Sequence, residues 1–237
     1  GLSRTIPAVN EKFAVSIGPK GQVMCVDRVT GEMKWGLDME KEYGAEIPFW
    51  YTGQCPLLCG DTVVLAPGGR VLLTGIDCAT GKMLWETQNP KQWKMSHASV
   101  MRGVISGQPT FVYFAIGGVC GVAAAGPETG KILWETEEFS PAVVAPSPLL
   151  LDKGRILLTA GYGAGTAMIR VQRKTAGWSV AIEQQFQPNE GIASEQQTPV
   201  FHNGYIYAVL PKDAGGERNQ FIAVTPDNCR KTVFSSG

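Results

Sequence analysis

Apolar residues in this chain come in short runs separated by turn residues, and the arrangement repeats from one end to the other. Residues 13–17 and 22–27 flank Gly18-Pro19-Lys20-Gly21, the pattern of two strands joined by a hairpin turn. Before them, residues 5–9 read as a short strand whose Pro7 suits a strand start. After Thr30-Gly31, residues 33–37 complete a set of four. The same pattern predicts strands over 56–58, 62–66, 71–77 and 83–86, then over 96–100, 110–116, 119–124 and 131–136. A fourth set covers 146–150, 155–160 and 167–172, and a fifth covers 198–200, 205–210, 221–225 and 232–234.

One stretch recurs inside these sets. Asp27, Thr30, Gly31 and Trp35 stand in the same order and spacing as Asp77, Thr80, Gly81 and Trp85, and Thr129, Gly130 and Trp134 follow suit. Trp85 lies 50 residues after Trp35 and Trp134 lies 49 after Trp85, the period of a repeated structural unit. Thr175-Ala176-Gly177-Trp178 reads as a degraded copy, and Phe234 stands where the fifth tryptophan is expected. Glycine after threonine supplies the positive φ of a tight turn, the aspartate accepts from nearby backbone N–H groups, and the tryptophan offers an apolar face to a neighbour. Five units of four short strands, with approximate limits 1–39, 40–90, 91–138, 139–187 and 188–237, read as an all-β chain of four-stranded antiparallel β-propeller blades.

Composition fits that reading and removes some partners. Charged residues are 18% of the 237, below the roughly 25% of an average globular protein, while 29 glycines and 15 prolines supply turns. Lys+Arg and Asp+Glu balance at 21 each with no basic run, so the footprint for nucleic acid is missing. No apolar run approaches a membrane span, and no signal peptide is visible, although the leading Gly1 reads as a trimmed end. Six scattered cysteines read chiefly as buried or half-buried thiols, with a disulfide or a metal pair at Cys55 and Cys59 as lesser alternatives.

The Thr-Gly-Lys-x-x-Trp signature, preceded by a strand ending in Asp, resembles the repeat of the PQQ-like (quinoprotein alcohol dehydrogenase-like) β-propellers, strongly in the first three units and weakly in the last two. WD40 and kelch patterns fit less well. Members of that family close with seven or eight blades, so the resemblance implies either a segment of a larger propeller or a compact five-bladed ring. It also implies an extracytoplasmic setting, the bacterial periplasm or cell surface.

Function in such a scaffold is expected on the long loops that lead from one unit to the next, residues 38–54, 87–96, 137–146 and 185–197. Trp50, Tyr51 and Gln54 lie in the aromatic loop, Trp93 and His97 form a second cluster, Glu195 and Gln196 a third, and Lys212 sits on a charged hairpin tip. These are candidate ligand-binding residues, each with a structural reading beside it: capping of blade ends, a hydrogen-bonded histidine, a solvated polar cluster. No catalytic residue and no metal ligand set is assigned. Quinoprotein dehydrogenases hold their quinone between a tryptophan and a vicinal disulfide beside Ca²⁺, and no Cys-Cys dipeptide occurs here. The expectation is therefore a noncatalytic scaffold for a protein or peptide, similar to the propeller lipoprotein of the outer-membrane β-barrel assembly machinery. The alternatives are a PQQ- and Ca-dependent oxidoreductase acting on alcohols or sugars, and a carbohydrate-binding propeller holding a small molecule at the channel mouth.

Overall fold

The structure, a computed structural model, describes residues 4–237, so Gly1 and the first residues of the expected 1–39 unit lie outside the described residues. Among the described residues, five separate four-stranded sheets form, each taking its strands in chain order and pairing them antiparallel. The first blade holds β1 (Ala8–Val9), β2 (Phe13–Ile17), β3 (Gln22–Asp27) and β4 (Met33–Asp38), and the second β5 (Leu57–Cys59), β6 (Thr62–Leu65), β7 (Val71–Asp77) and β8 (Met83–Gln88). The third holds β9 (Met101–Ile105), β10 (Gln108–Ala115), β11 (Gly118–Ala123) and β12 (Ile132–Thr136). The fourth holds β13 (Leu149–Leu150), β14 (Arg155–Ala160), β15 (Gly165–Lys174) and β16 (Gly177–Phe186), and the fifth β17 (Val200–His202), β18 (Tyr205–Val209), β19 (Phe221–Thr225) and β20 (Asn228–Ser235). These are blades of a β-propeller.

A row of paired residues crosses every blade at the same level. In the first it runs Ala8/Val15/Cys25/Trp35, in the second Leu57/Val64/Gly75/Trp85, and in the third Met101/Val112/Gly121/Trp134. In the fourth it runs Leu149/Leu157/Met168/Gln184, and in the fifth Val200/Tyr207/Ala223/Phe234. In each blade the outer pair of strands shifts register immediately after this row, a bulge that bends the outer strand. In the first four blades the row faces the next blade. Val15 and Cys25 share a core with Val63 and Ile76, Val64 with Phe111 and Tyr113, Val112 with Ile156 and Leu158, and Leu157 and Met168 with Ile206 and Ile222. The apolar face of each strand is thus buried between blades.

The repeat motif forms the lock between them. Asp77 Oδ1 accepts from the Thr80 N–H and hydroxyl, closing the turn. The incoming Trp35 donates its indole N–H to Cys78 O at 2.8 Å and covers Gly81, where a Cβ would meet the ring at 2.8 Å. Trp85 covers Gly130 in the same way, a Cβ there meeting it at 2.9 Å. Only glycine leaves room for the ring.

Two expectations are corrected. The first strand of the third blade is Met101–Ile105, not 96–100. Ala98 and Val100 are buried, which produces a strand-like pattern, but the backbone there bonds loops and side chains: Ser96 N to the Tyr113 hydroxyl, His97 N to Val144 O, Ser99 N to Ser147 Oγ. In the fourth blade the lock position is Gln184, not Trp178. Trp178 pairs with Arg173 near the tip of a long hairpin, whereas Gln184 stands in the row and donates to Pro226 O at 3.0 Å, the position equivalent to Cys78. Trp134 meets this lengthened hairpin and its buried Nε1 finds no acceptor.

A second connection between blades runs through the residues just before each first strand. Ile6 N donates to Cys55 Sγ, Cys55 N to Ser99 Oγ, Ser99 N to Ser147 Oγ, and Ser147 N to Thr198 Oγ1. One small polar side chain per blade links each first strand to the next.

Candidate functional site

The loops between blades converge. A cavity of about 290 Å³ is lined by Arg4, by Trp50 and Gly53 from the loop after the first blade, by His97, by Val143 and Ala145, by Tyr162, and by Glu195 and Gln196. Every blade thus contributes through an interblade loop, the N-terminal segment or a hairpin tip, which places the cavity at the mouth of the central channel.

The aromatic loop is anchored by the short helix α1 (Met39–Tyr43), capped by Asp38 at its start and ended by Gly44 in the left-handed region. Beyond it, Thr52 N donates to Pro19 O and Tyr51 N to Pro48 O, so the loop lies against the first blade. Trp50 stacks on Tyr162 with centroids 5.8 Å apart and planes at 9°, and Phe49 meets Trp50 edge-on at 5.5 Å. Lys212 lies over the other ring, its Nζ 5.8 Å from the Tyr162 centroid. Asp213 accepts from Gly163 N at 2.8 Å and steadies the turn that carries Tyr162. Phe49 is 90% exposed, and Tyr51 and Tyr162 are also open to solvent.

Two polar atoms at the cavity are buried and unpartnered, His97 Nδ1 and Glu195 Oε2. Burial, together with the nearby Arg4 charge, holds His97 below the usual imidazole range against a hydrogen bond to the Tyr51 backbone that acts the other way, so the ring is neutral near pH 7. Glu195 packs beneath Gly161, where a Cβ would meet its Cγ at 2.1 Å.

The structure therefore brings Trp50, His97, Glu195 and Gln196 together. Lys212 stands at the rim, in a shallow depression shared with Glu195 and Gln196. Tyr51 is beside the cavity and offers its backbone to His97. Gln54 and Trp93 are elsewhere. Gln54 is buried, and its amide clamps both the N–H and the carbonyl of Ala66. Trp93 is buried over Gly117 and Gly118 and donates to Glu137 at 3.1 Å. Arg4 and Tyr162 were not anticipated. Arg4 carries no motif, and Tyr162 lies in a glycine-rich turn, residues 161–165, whose sequence signals only the turn.

The mouth does not fit a quinone with Ca²⁺. One face of Trp50 is taken by Tyr162, Cys55 and Cys59 are free and not adjacent, and among the described residues no three acid, histidine or cysteine groups converge as cation ligands.

The comparisons agree with the architecture. A family model described as outer membrane protein assembly factor BamB matches residues 1–228. Among solved structures, BamB from Moraxella catarrhalis is similar at 13% identity and a TM-score of 0.63, covering 99% of this chain and 64% of that one. A quinohemoprotein alcohol dehydrogenase from Comamonas testosteroni is similar at 14% and 0.60, covering 100% and 43%. The WD40 domain of SCAP from fission yeast is similar at 15% and 0.52, covering 97% and 54%. At such identities these likenesses speak to fold alone, and the chain spans less than two thirds of each of these structures. No curated protein matches.

Proposed function

The chain belongs to the family described as outer membrane protein assembly factor BamB, and on that premise we propose that it is a noncatalytic binding scaffold of the bacterial cell envelope that holds a protein partner, in extended form, at its channel mouth. The observation that carries this reading is the aromatic cluster of Phe49, Trp50 and Tyr162, exposed on loops that a rigid set of blades holds in place. Aromatic side chains in such positions are the usual anchors of protein interfaces. The poor fit to a quinone supports the noncatalytic reading. No helix of the described residues is long and apolar enough to cross a membrane.

Trp50 makes the site its own reporter. Titration with a synthetic peptide carrying the alternating apolar pattern of an outer-membrane β-strand should change tryptophan emission saturably, and Phe49→Ser should weaken the apparent affinity by about tenfold, the size of a modest interface hot spot. Saturable binding of pyrroloquinoline quinone with Ca²⁺, followed by reduction of a dye at the expense of an alcohol, overturns the proposal.

A second reading rests on the unpartnered His97 Nδ1 and Glu195 Oε2. A hydroxylated small molecule such as a sugar would supply both with donors. Quenching of tryptophan emission by a sugar, lost in Glu195→Ala, distinguishes this occupant from a peptide.

A further inference from the structure

The cavity at the mouth is built from one equivalent position in every blade. The hydrogen bonds that string the first strands together run through Ile6, Cys55, Ser99, Ser147 and Thr198. Two residues before these stand Arg4, Gly53, His97, Ala145 and Gln196, and all five line the cavity. The repeat sets the backbone alike at these places, so the side chains decide what the space accepts. Gly53 and Ala145 are small, and at Gly53 a Cβ would meet His97 Cβ at 2.8 Å. Arg4, His97 and Gln196 are polar, and Glu195 adds a carboxylate. The stack of Trp50 on Tyr162 closes another side, reaching from the loop after the first blade to a hairpin of the fourth. Contacts among the five blades set these walls, whatever covers the first and last sheets.

A space of about 290 Å³ stands at the lower limit of ligand pockets, roughly 300–1,000 Å³, and suits a small molecule. Its chemistry has both signs. Glu195 Oε2 is buried without a donor and His97 Nδ1 without a partner, and the Arg4 charge acts on the same imidazole. Neither Glu195 nor Arg4 enters an ion pair among the described residues. A buried carboxylate oxygen without a donor is costly, and the side chains around it do not relieve it. A hydroxylated ligand would donate to both open atoms and leave the charges of Glu195 and Arg4 unmatched.

We propose that this cavity binds a free α-amino acid, its ammonium held by Glu195 Oε2 and His97 Nδ1 and its carboxylate facing Arg4. The ligand carries the two charges that the site opposes, and it carries them on neighbouring atoms. Its ammonium brings three N–H donors to two acceptors, and a guanidinium is the natural partner of a carboxylate. An apolar side chain finds Val143, Ala145 and the Trp50 ring in the remaining wall. This goes beyond the docking of a protein on the exposed aromatics, and it rests only on the reading of the mouth as a binding site.

The test is titration of the protein with glycine, L-leucine and L-phenylalanine in turn, followed by calorimetry and tryptophan emission. At least one should bind saturably, and its N-acetyl and carboxamide derivatives, which each lack one charge, should bind about tenfold more weakly or worse, as expected for the loss of a charged hydrogen bond. Two variants then assign the ends. Glu195→Gln should abolish the preference over the N-acetyl derivative and keep the preference over the carboxamide, and Arg4→Gln should do the reverse. Circular dichroism on each verifies the fold. Phe49 does not line the cavity, so Phe49→Ser should bind the amino acid as the parent does while losing affinity for a peptide, which separates this site from the aromatic surface outside it. The proposal is overturned if none of the three amino acids binds, if both derivatives bind as well as the parent amino acid, or if glucose binds in preference to all three. Peptide binding that depends on Phe49, with no amino acid bound inside, overturns this proposal and leaves the scaffold reading standing.

Discussion

At the scale of single residues, the fourth blade shows that the lock needs a donor and a fitting shape more than it needs an indole. Gln184 Nε2 donates to Pro226 O at 3.0 Å, while its Oε1 accepts from Cys229 N at 2.9 Å. Leucine in its place keeps the volume and strands both backbone groups, so Gln184→Leu should lower unfolding stability by about 1–3 kcal/mol in a denaturant melt. An unchanged melt would mean that water satisfies both groups. His97 makes a different prediction. Its pKa is depressed in the folded protein, chiefly by burial, so below the ordinary imidazole value of about 6.5 the unfolded chain binds a proton that the folded chain resists. The stabilising effect of a neutral His97 is present above that value and is lost as pH falls towards the folded pKa. The thermal midpoint should fall between pH 7 and 5 by more in the parent than in His97→Gln, and parallel curves would remove His97 as the cause.

At the scale of elements, the belt of small side chains decides how tightly first strands are strung together. Ser99 Oγ accepts from Cys55 N at 2.9 Å, and Ser147 Oγ accepts from Ser99 N at 3.0 Å. Ser99→Ala leaves the Cys55 N–H without its acceptor, at an expected loss of about 1–2 kcal/mol. Adding Ser147→Ala should give a non-additive total, because the two substitutions act on one chain of bonds. Strict additivity would show the belt to be incidental. Strands of this kind were legible where burial alternates simply along a hairpin: residues 13–17, 22–27, 71–77, 155–160 and 221–225 are strands at the expected limits. Residues 96–100 were not, because their apolar positions are buried by neighbouring loops and carry no ladder. The mouth was legible in part for the same reason. Aromatic and acidic residues on long loops point to a common face, but whether a given ring turns to solvent or inwards is settled by tertiary contacts. Trp93 turns onto Gly117 and Gly118, and Gln54 clamps Ala66. Gln184 carries no sequence mark of a lock because the hairpin that follows the expected motif position is longer than in the other blades.

At the scale of the molecule, stability in a stacked array is approximately a sum of blade terms and nearest-neighbour interfaces. The second, third and fourth blades are covered on both faces through shared cores, whereas the first and fifth each share a core on one side. Thiol chemistry reads the same burial. Cys25, Cys78, Cys120 and Cys229 are buried, with Cys78 and Cys120 pushed up to about 12 and Cys229 to about 11 mainly by burial, while Cys55 and Cys59 are half-buried. In the folded protein at pH 8, a chromogenic disulfide reagent should therefore modify no more than those two quickly, and all six after unfolding. Local opening should follow the ends. In dilute solution, amide hydrogens of β2, β3, β18 and β19 should exchange with solvent faster than those of β7, β10, β11 and β14, because each terminal blade opens at the loss of a single interface. Uniform exchange across all five blades would show that the array opens as one cooperative unit and that its end faces are not the weak points their exposure implies.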